Sequence, residues 1–81
     1  MRFVLVHGGF HGAWCWRDLI PQVERLGHEA IAIDLPGHGE RRTQHSTLTN
    51  RRDAIVSVMR RGDVLVGHSA GGFDITLAAD A

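Results

Sequence analysis

Three short apolar runs punctuate the chain, at residues 3–6, 30–33 and 64–66. Each is brief, rich in branched side chains and followed by glycine-containing sequence. Strands buried on both faces of a parallel sheet read this way, because neither face has to alternate with polar residues. Between the runs the apolar spacing lengthens. Trp16, Leu19, Ile20, Val23 and Leu26 recur at helical intervals, and Gly27 stands where a helix would stop. Pro21 is tolerated only in a first helical turn, so that helix is expected to begin near Ile20. A second helix is expected over about residues 50–61, capped by Thr49 or Asn50 and ended by Gly62. A third begins near Ala70. The polar stretch at residues 37–48 reads as a loop, and no internal repeat is evident.

The order is therefore βαβαβα. Such alternation predicts an α/β fold: a three-layer parallel sheet with flanking helices and right-handed crossovers, in one unit spanning residues 1–81. Composition narrows the function classes. Nine basic residues, all arginine, balance nine acidic ones, so no electrostatic case arises for nucleic acid or a membrane surface. The single cysteine, Cys15, excludes an intrachain disulfide and has no cationic neighbour to activate it, so a buried, inert thiol is expected. No stretch approaches the roughly 20 apolar residues of a membrane span, and the opening apolar run is too short for a signal peptide. A cytoplasmic protein is the default expectation, with a homodimer left open.

Two glycine-rich turns carry the candidate chemistry. Gly67-His68-Ser69-Ala70-Gly71 matches G-x-S-x-G, directly after an expected strand and before an expected helix. A strand that turns this sharply into a helix lifts the serine hydroxyl to the carboxyl edge of the sheet. Small residues two before and two after the serine avoid clashes across the turn, and Gly67 and Gly71 fill those places. The helix N-terminus favours developing negative charge, and the Ala70 N–H is set to donate to an oxyanion. The bland alternative is a glycine-rich turn with a chance serine. The second turn is His7-Gly8-Gly9, directly after the first run, where a second oxyanion donor commonly sits. We assign that donor to the Gly9 N–H. His7 is expected to brace the loop by side-chain hydrogen bonds. His7 and His11 stand four apart, but on a loop and without a third ligand, so no metal is expected.

Together the motifs carry a resemblance. Residues 3–9 (Phe-Val-Leu-Val-His-Gly-Gly), 11–16 (His-Gly-Ala-Trp-Cys-Trp), 33–39 (Ile-Asp-Leu-Pro-Gly-His-Gly) and 66–72 (Val-Gly-His-Ser-Ala-Gly-Gly) resemble the α/β-hydrolase superfamily over nearly the whole chain. Within it they look most like the small esterases that include plant methylesterases and hydroxynitrile lyases. The resemblance implies Ser69 as nucleophile, Gly9 and Ala70 as oxyanion donors, and Asp34 as a brace for the oxyanion loop. It implies a small-molecule ester as substrate and no cofactor. Gly8 stands where the lyases carry a hydroxyl residue, which favours ester hydrolysis over cyanohydrin cleavage.

The chain departs from the family in one respect. The family supplies its catalytic acid and then its catalytic histidine after the serine, yet the twelve residues after Ser69 contain no histidine. Asp74 and Asp80, in the helix after the elbow, are expected to point away from where the catalytic acid should stand. The chain is thus expected to be the N-terminal part of the domain, inactive alone. His38 shares the sheet edge but is expected to serve structure, His28 and His45 to be exposed, and His68 to diverge from Ser69. Trp14 and Trp16 are expected to pack under the first helix, and the Arg51-Arg52 and Arg60-Arg61 pairs to be solvated helix ends. Two other readings are a non-catalytic ligand-binding relative and half of a dinucleotide fold. The latter rests on Gly8-Gly9-x-x-Gly12 and on Asp34 ending the next strand, but it leaves the elbow unexplained.

Overall fold

The computed structural model describes residues 1–9, 11–68 and 70–79. Its strands are β1 (Arg2–Val6), β2 (Glu29–Ile33) and β3 (Val64–Gly67), and its α-helices are α1 (Ile20–Arg25), α2 (Leu48–Val58) and α3 (Ala70–Ala79). Two short 3-10 turns, Ala13–Trp16 and Gly39–Arg41, interrupt the loops. The strands form one parallel sheet in the order β2-β1-β3. This is the α/β arrangement that the apolar pattern predicts.

Register explains the core. Val4 pairs with Ile31 on one side and Leu65 on the other, and Val6 pairs with Ile33 and Gly67. Side chains at paired positions share a face, so Val4, Val6, Ile31, Ile33 and Leu65 make one apolar surface. Leu35, Ile55 and Ala78 close over it, with Val58, Met59 and Ile75 packed at its border. Val4, Val6 and Ile55 are fully buried, each worth roughly 1.5–3 kcal/mol of transfer from water. Leu5 faces the opposite side and is equally enclosed. The chain moves from β1 outward to β2 and then back across β1 to β3. With right-handed crossovers in opposite directions, α1 and α2 cover opposite faces.

Helix boundaries differ from the sequence expectation in ways local chemistry explains. Helix α2 starts two residues earlier than expected, because Thr47, not Thr49 or Asn50, is its cap. The Thr47 Oγ1 accepts the Asn50 N–H at 3.0 Å. The helix stops at Val58, and Met59 is already extended. Arg60 and Arg61 therefore lie in the following turn and do not end a helix. Helix α1 is only six residues long and ends before Gly27, whose φ of 86° suits glycine.

Trp14 and Trp16 fall in the first 3-10 turn, outside α1, and Trp14 is 60% exposed, so it does not pack under that helix. His45 is exposed, whereas His28 is half-buried edge-on against Phe3, contrary to its expected exposure. Cys15 is half-buried, and desolvation raises its thiol pKa. At the amino edge of the sheet Arg2 clasps the end of α2. Its guanidinium donates to the Val58 carbonyl at 2.6 Å and to both Asp63 oxygens at 2.7 and 3.0 Å. The Asp63 carboxyl is held below the usual range by that guanidinium. No helix among the described residues is long and apolar enough to cross a membrane.

Candidate active site

Strand order decides where the site lies. The chain leaves β1 towards β2 on one side and returns to β3 on the other. The carboxyl end of β1 is therefore a switch point, the place where open α/β sheets leave a crevice. Because β1 and β3 pair directly, the turns that follow them emerge side by side. The His68 N–H donates to the Val6 carbonyl at 3.0 Å, which extends the pairing into the start of the elbow.

The elbow glycines are explained by what surrounds them. A Cβ on Gly67 would lie 2.6 Å from backbone atoms of Gly71 and Gly72. A Cβ on Gly71 would lie 2.6 Å from the Val6 carbonyl oxygen and would also strike that of His7. Real Cβ contacts essentially never fall below 3.0 Å, and main chain cannot swing aside as a side chain can. The first turn of α3 thus lies directly on the end of β1. Ser69 itself lies outside the described residues, as does Asp80. Ala70 is the first residue of α3.

His7 is fully buried beneath the loop that follows β1. Its Nε2 accepts the Leu35 N–H at 3.0 Å. Accepting there leaves the proton on Nδ1, which donates to the Gly8 carbonyl at 2.7 Å. The two bonds fix one neutral tautomer and tie the loop after β1 to the loop after β2. Burial lowers the His7 pKa, and the bond to the Gly8 carbonyl opposes that shift in part. With both nitrogens engaged, His7 has no lone pair left for a metal. Among the described residues no group of three His, Cys, Asp or Glu side chains is arranged to hold one. Gly8 is buried and Gly9 exposed, with open space where a Gly9 side chain would stand.

Asp34 holds the same two loops from the other end. Its Oδ1 accepts the Ala13 N–H at 2.7 Å and its Oδ2 the Glu40 N–H at 3.2 Å. Both Asp34 oxygens thus have partners within the chain, and its place after β2 has a structural account that needs no ribose. His11 lies between Trp14 and His68, with ring centroids 5.5 and 5.8 Å away. His38 stacks obliquely on His7, centroids 4.9 Å apart.

One residue was misjudged by the sequence reading and another was given no place in the site. Asp74 is buried on α3, 1% exposed, and lines a cavity of about 210 Å³ with Gly8, Gly9, His38 and Arg51. Arg51 is not a solvated helix end. Its Nε donates to Asp74 Oδ2 at 3.0 Å and its Nη1 to Ser46 Oγ at 3.0 Å. The signal was available in the helical spacing. Residues 51, 54, 55 and 58 make one stripe, as do 71, 74, 75 and 78, and the other members of both stripes are small or apolar. A charge on each inward stripe calls for the other.

A family model described as "Alpha/beta hydrolase family" matches residues 3–81. The chain is 41% identical to Methylesterase 2 of Arabidopsis thaliana over 98% of its length and 34% of that protein. It is 44% identical to Norfluorocurarine synthase 2 of a Strychnos species, covering 98% of this chain and 33% of the other. Its backbone is similar to that of the crystal structure of polyneuridine aldehyde esterase, with a TM-score of 0.80 and 36% identity over 95% of this chain and 33% of that one. The chain spans about a third of the length of the curated relatives it matches.

Proposed function

Because the chain belongs to the alpha/beta hydrolase family, we propose that it carries the nucleophile and the oxyanion donors of a serine esterase that cleaves small carboxylic esters. Methyl esters are the first candidates, since several similar proteins are named methylesterases. The observation that carries the reading is the close lie of the elbow on β1. Two glycines hemmed in by neighbouring main chain bring the start of α3 against the end of β1, at Val6 and His7, where the loop of Gly8 and Gly9 begins.

In this reading Ser69 Oγ attacks the ester carbonyl carbon and gives its proton to a histidine supplied from beyond residue 81, oriented by a carboxylate. The Gly9 and Ala70 N–H groups hold the tetrahedral oxyanion, each worth about 3 kcal/mol in the transition state. The C–O bond breaks, the alcohol leaves with the proton from the histidine, and water releases the acid from the acyl-enzyme. His7, Gly8 and Asp34 do no proton chemistry: they hold the donor loop in place.

The test is labelling of the intact protein with a fluorophosphonate probe, followed by peptide mapping. Modification at Ser69, abolished in Ser69→Ala and accompanied by methyl ester turnover, is expected. A folded protein that stays unlabelled would refute the serine mechanism.

A further inference from the structure

Core packing accounts for most of the inward stripe of α3 but not for its one charge. Ile75 and Ala78 pack against the apolar face of the sheet, and Gly71 lies on the end of β1. On the same stripe Asp74 is buried, and its Oδ2 accepts from Arg51 Nε at 3.0 Å. The Asp74 side chain is 2% exposed and that of Arg51 24%. Taking two charges out of water costs about as much as their attraction returns, and an apolar pair of similar volume is often as stable or more so. The return is smaller still here, since Asp74 Oδ1 has no hydrogen-bond partner among the described residues. Stability therefore gives no reason for an ion pair at this point of the fold.

The connections of the pair give one. Arg51 also donates from Nη1 to Ser46 Oγ at 3.0 Å. Ser46 lies against the loop after β2: a Cβ on Gly37 would stand 2.7 Å from the Ser46 Cβ. Two residues before Gly37, the Leu35 N–H is tied to His7, which leads into Gly8 and Gly9. The cavity of about 210 Å³ has Gly8, Gly9, Leu35, Arg51 and Asp74 in its wall. A closed circuit of contacts thus runs from the loop of Gly8 and Gly9, through the loop after β2 and Arg51, to α3. Asp74 stands about one helical turn after Ala70, the first residue of that helix.

Resting on the esterase reading, we infer that Arg51 and Asp74 are positioning residues: together they fix the rotation of α3 about its axis, and so the direction of the Ala70 N–H relative to that of Gly9. Apolar packing has no preferred direction, so Ile75 and Ala78 hold α3 down without fixing its rotation closely. A charge-assisted hydrogen bond has one. Arginine suits the task because its guanidinium is planar and rigid, so the bond to Ser46 also sets the direction of the bond to Asp74. Neither side chain touches the substrate in this scheme. The consequence is confined to the transition state. An oxyanion donor acts where charge develops, so a donor turned out of line costs turnover and leaves substrate binding unchanged.

The experiment is the Arg51→Met/Asp74→Leu double variant of the intact protein, which removes both charges together. Its denaturation midpoint should stay close to the parent's. Its kcat for a methyl ester should fall by about tenfold or more with KM unchanged, where complete loss of a donor costs about 100- to 1,000-fold. Fluorophosphonate labelling at Ser69 should slow by a similar factor, because the phosphonyl oxygen uses the same donors, and should still reach completion. A merely structural role would lower the fraction of protein that labels and leave the rate constant of the folded fraction unchanged. Asp74→Asn keeps an acceptor for Arg51 Nε and should recover most of the lost kcat. Parental kcat and labelling rate in the double variant overturn the proposal, as does a loss carried by KM. A double variant that does not fold overturns it too, because the pair would then serve stability. So does an Asp74→Asn variant as slow as the double variant, since charge and not geometry would then matter. The parent separates the two claims. A parent that labels, beside a double variant that labels as fast, loses the positioning role only, whereas an unlabelled parent loses the esterase reading and the positioning role with it.

Discussion

Replacing His7 by phenylalanine keeps a ring of similar size in a fully buried position and removes both hydrogen bonds. The Leu35 N–H then loses its acceptor at 3.0 Å and the Gly8 carbonyl its donor at 2.7 Å. Each buried group left unpaired costs about 1–3 kcal/mol, so the pair should cost about 2–6 kcal/mol. Equilibrium denaturation of parent and variant measures this directly. The same bonds also predict a pH dependence. Burial holds the folded-state His7 pKa below its ordinary value, so below about pH 6.5 the unfolded chain takes up the proton first. His7 thus contributes stability that is fully present above that pH and is lost as pH falls towards the folded-state pKa. His7→Phe should flatten this part of the profile between about pH 7 and pH 5. A variant within about 0.5 kcal/mol of the parent, the range of an inconsequential surface change, would refute the brace. So would an unchanged slope over that pH interval.

Two further substitutions probe the elbow and the helix that supports it. Gly71→Ala puts a Cβ 2.6 Å from the Val6 carbonyl oxygen. It should cost about 1–3 kcal/mol in denaturation and sharply slow fluorophosphonate labelling, while normal labelling would contradict the close packing described for the elbow. Thr47→Ala removes the acceptor for the Asn50 N–H and should destabilise by about 1 kcal/mol, with Thr47→Ser nearly neutral; equal stability of all three would mean that the cap is idle.

The strands were legible because their apolar runs are uninterrupted and end in glycine. The observed strands extend the expected ones only by Arg2, Glu29 and Gly67. The elbow was legible for a related reason. Its glycines are demanded by main chain on every side, and such a demand leaves a spaced signature in sequence. Helix ends were less legible, because Thr47, Thr49 and Asn50 are all competent caps and only the path of the preceding loop selects among them. The Arg51–Asp74 pair was missed because each charge, taken singly on a helix, reads as solvent-facing. Inwardness appears only when each is set against the apolar members of its own stripe. Trp14 failed in the opposite sense: a large aromatic beside a helix reads as core, but the 3-10 turn at Ala13–Trp16 carries its ring outward beside His11. The roles of His7 and Asp34 depend on which loops the strand order brings together. Spacing along the chain does not encode that.

The central position of β1 bears on how the chain is made. Strand β1 is synthesised before both of the strands that flank it, β2 and β3. Its Val4, Leu5 and Val6 are all but fully enclosed in the finished fold. Yet the residue that clasps its beginning, Asp63, lies 61 positions after Arg2. At about 5–20 residues per second, the ribosome takes roughly 3–12 seconds to deliver that partner. Throughout that interval one side of β1 presents open backbone groups beside an apolar run, the combination most prone to pair with another chain. The arrangement that lays the loop of Gly8 and Gly9 beside the elbow thus also leaves β1 open on one side until β3 is made, and yield during expression should depend on what protects it while the residues up to β3 are being translated.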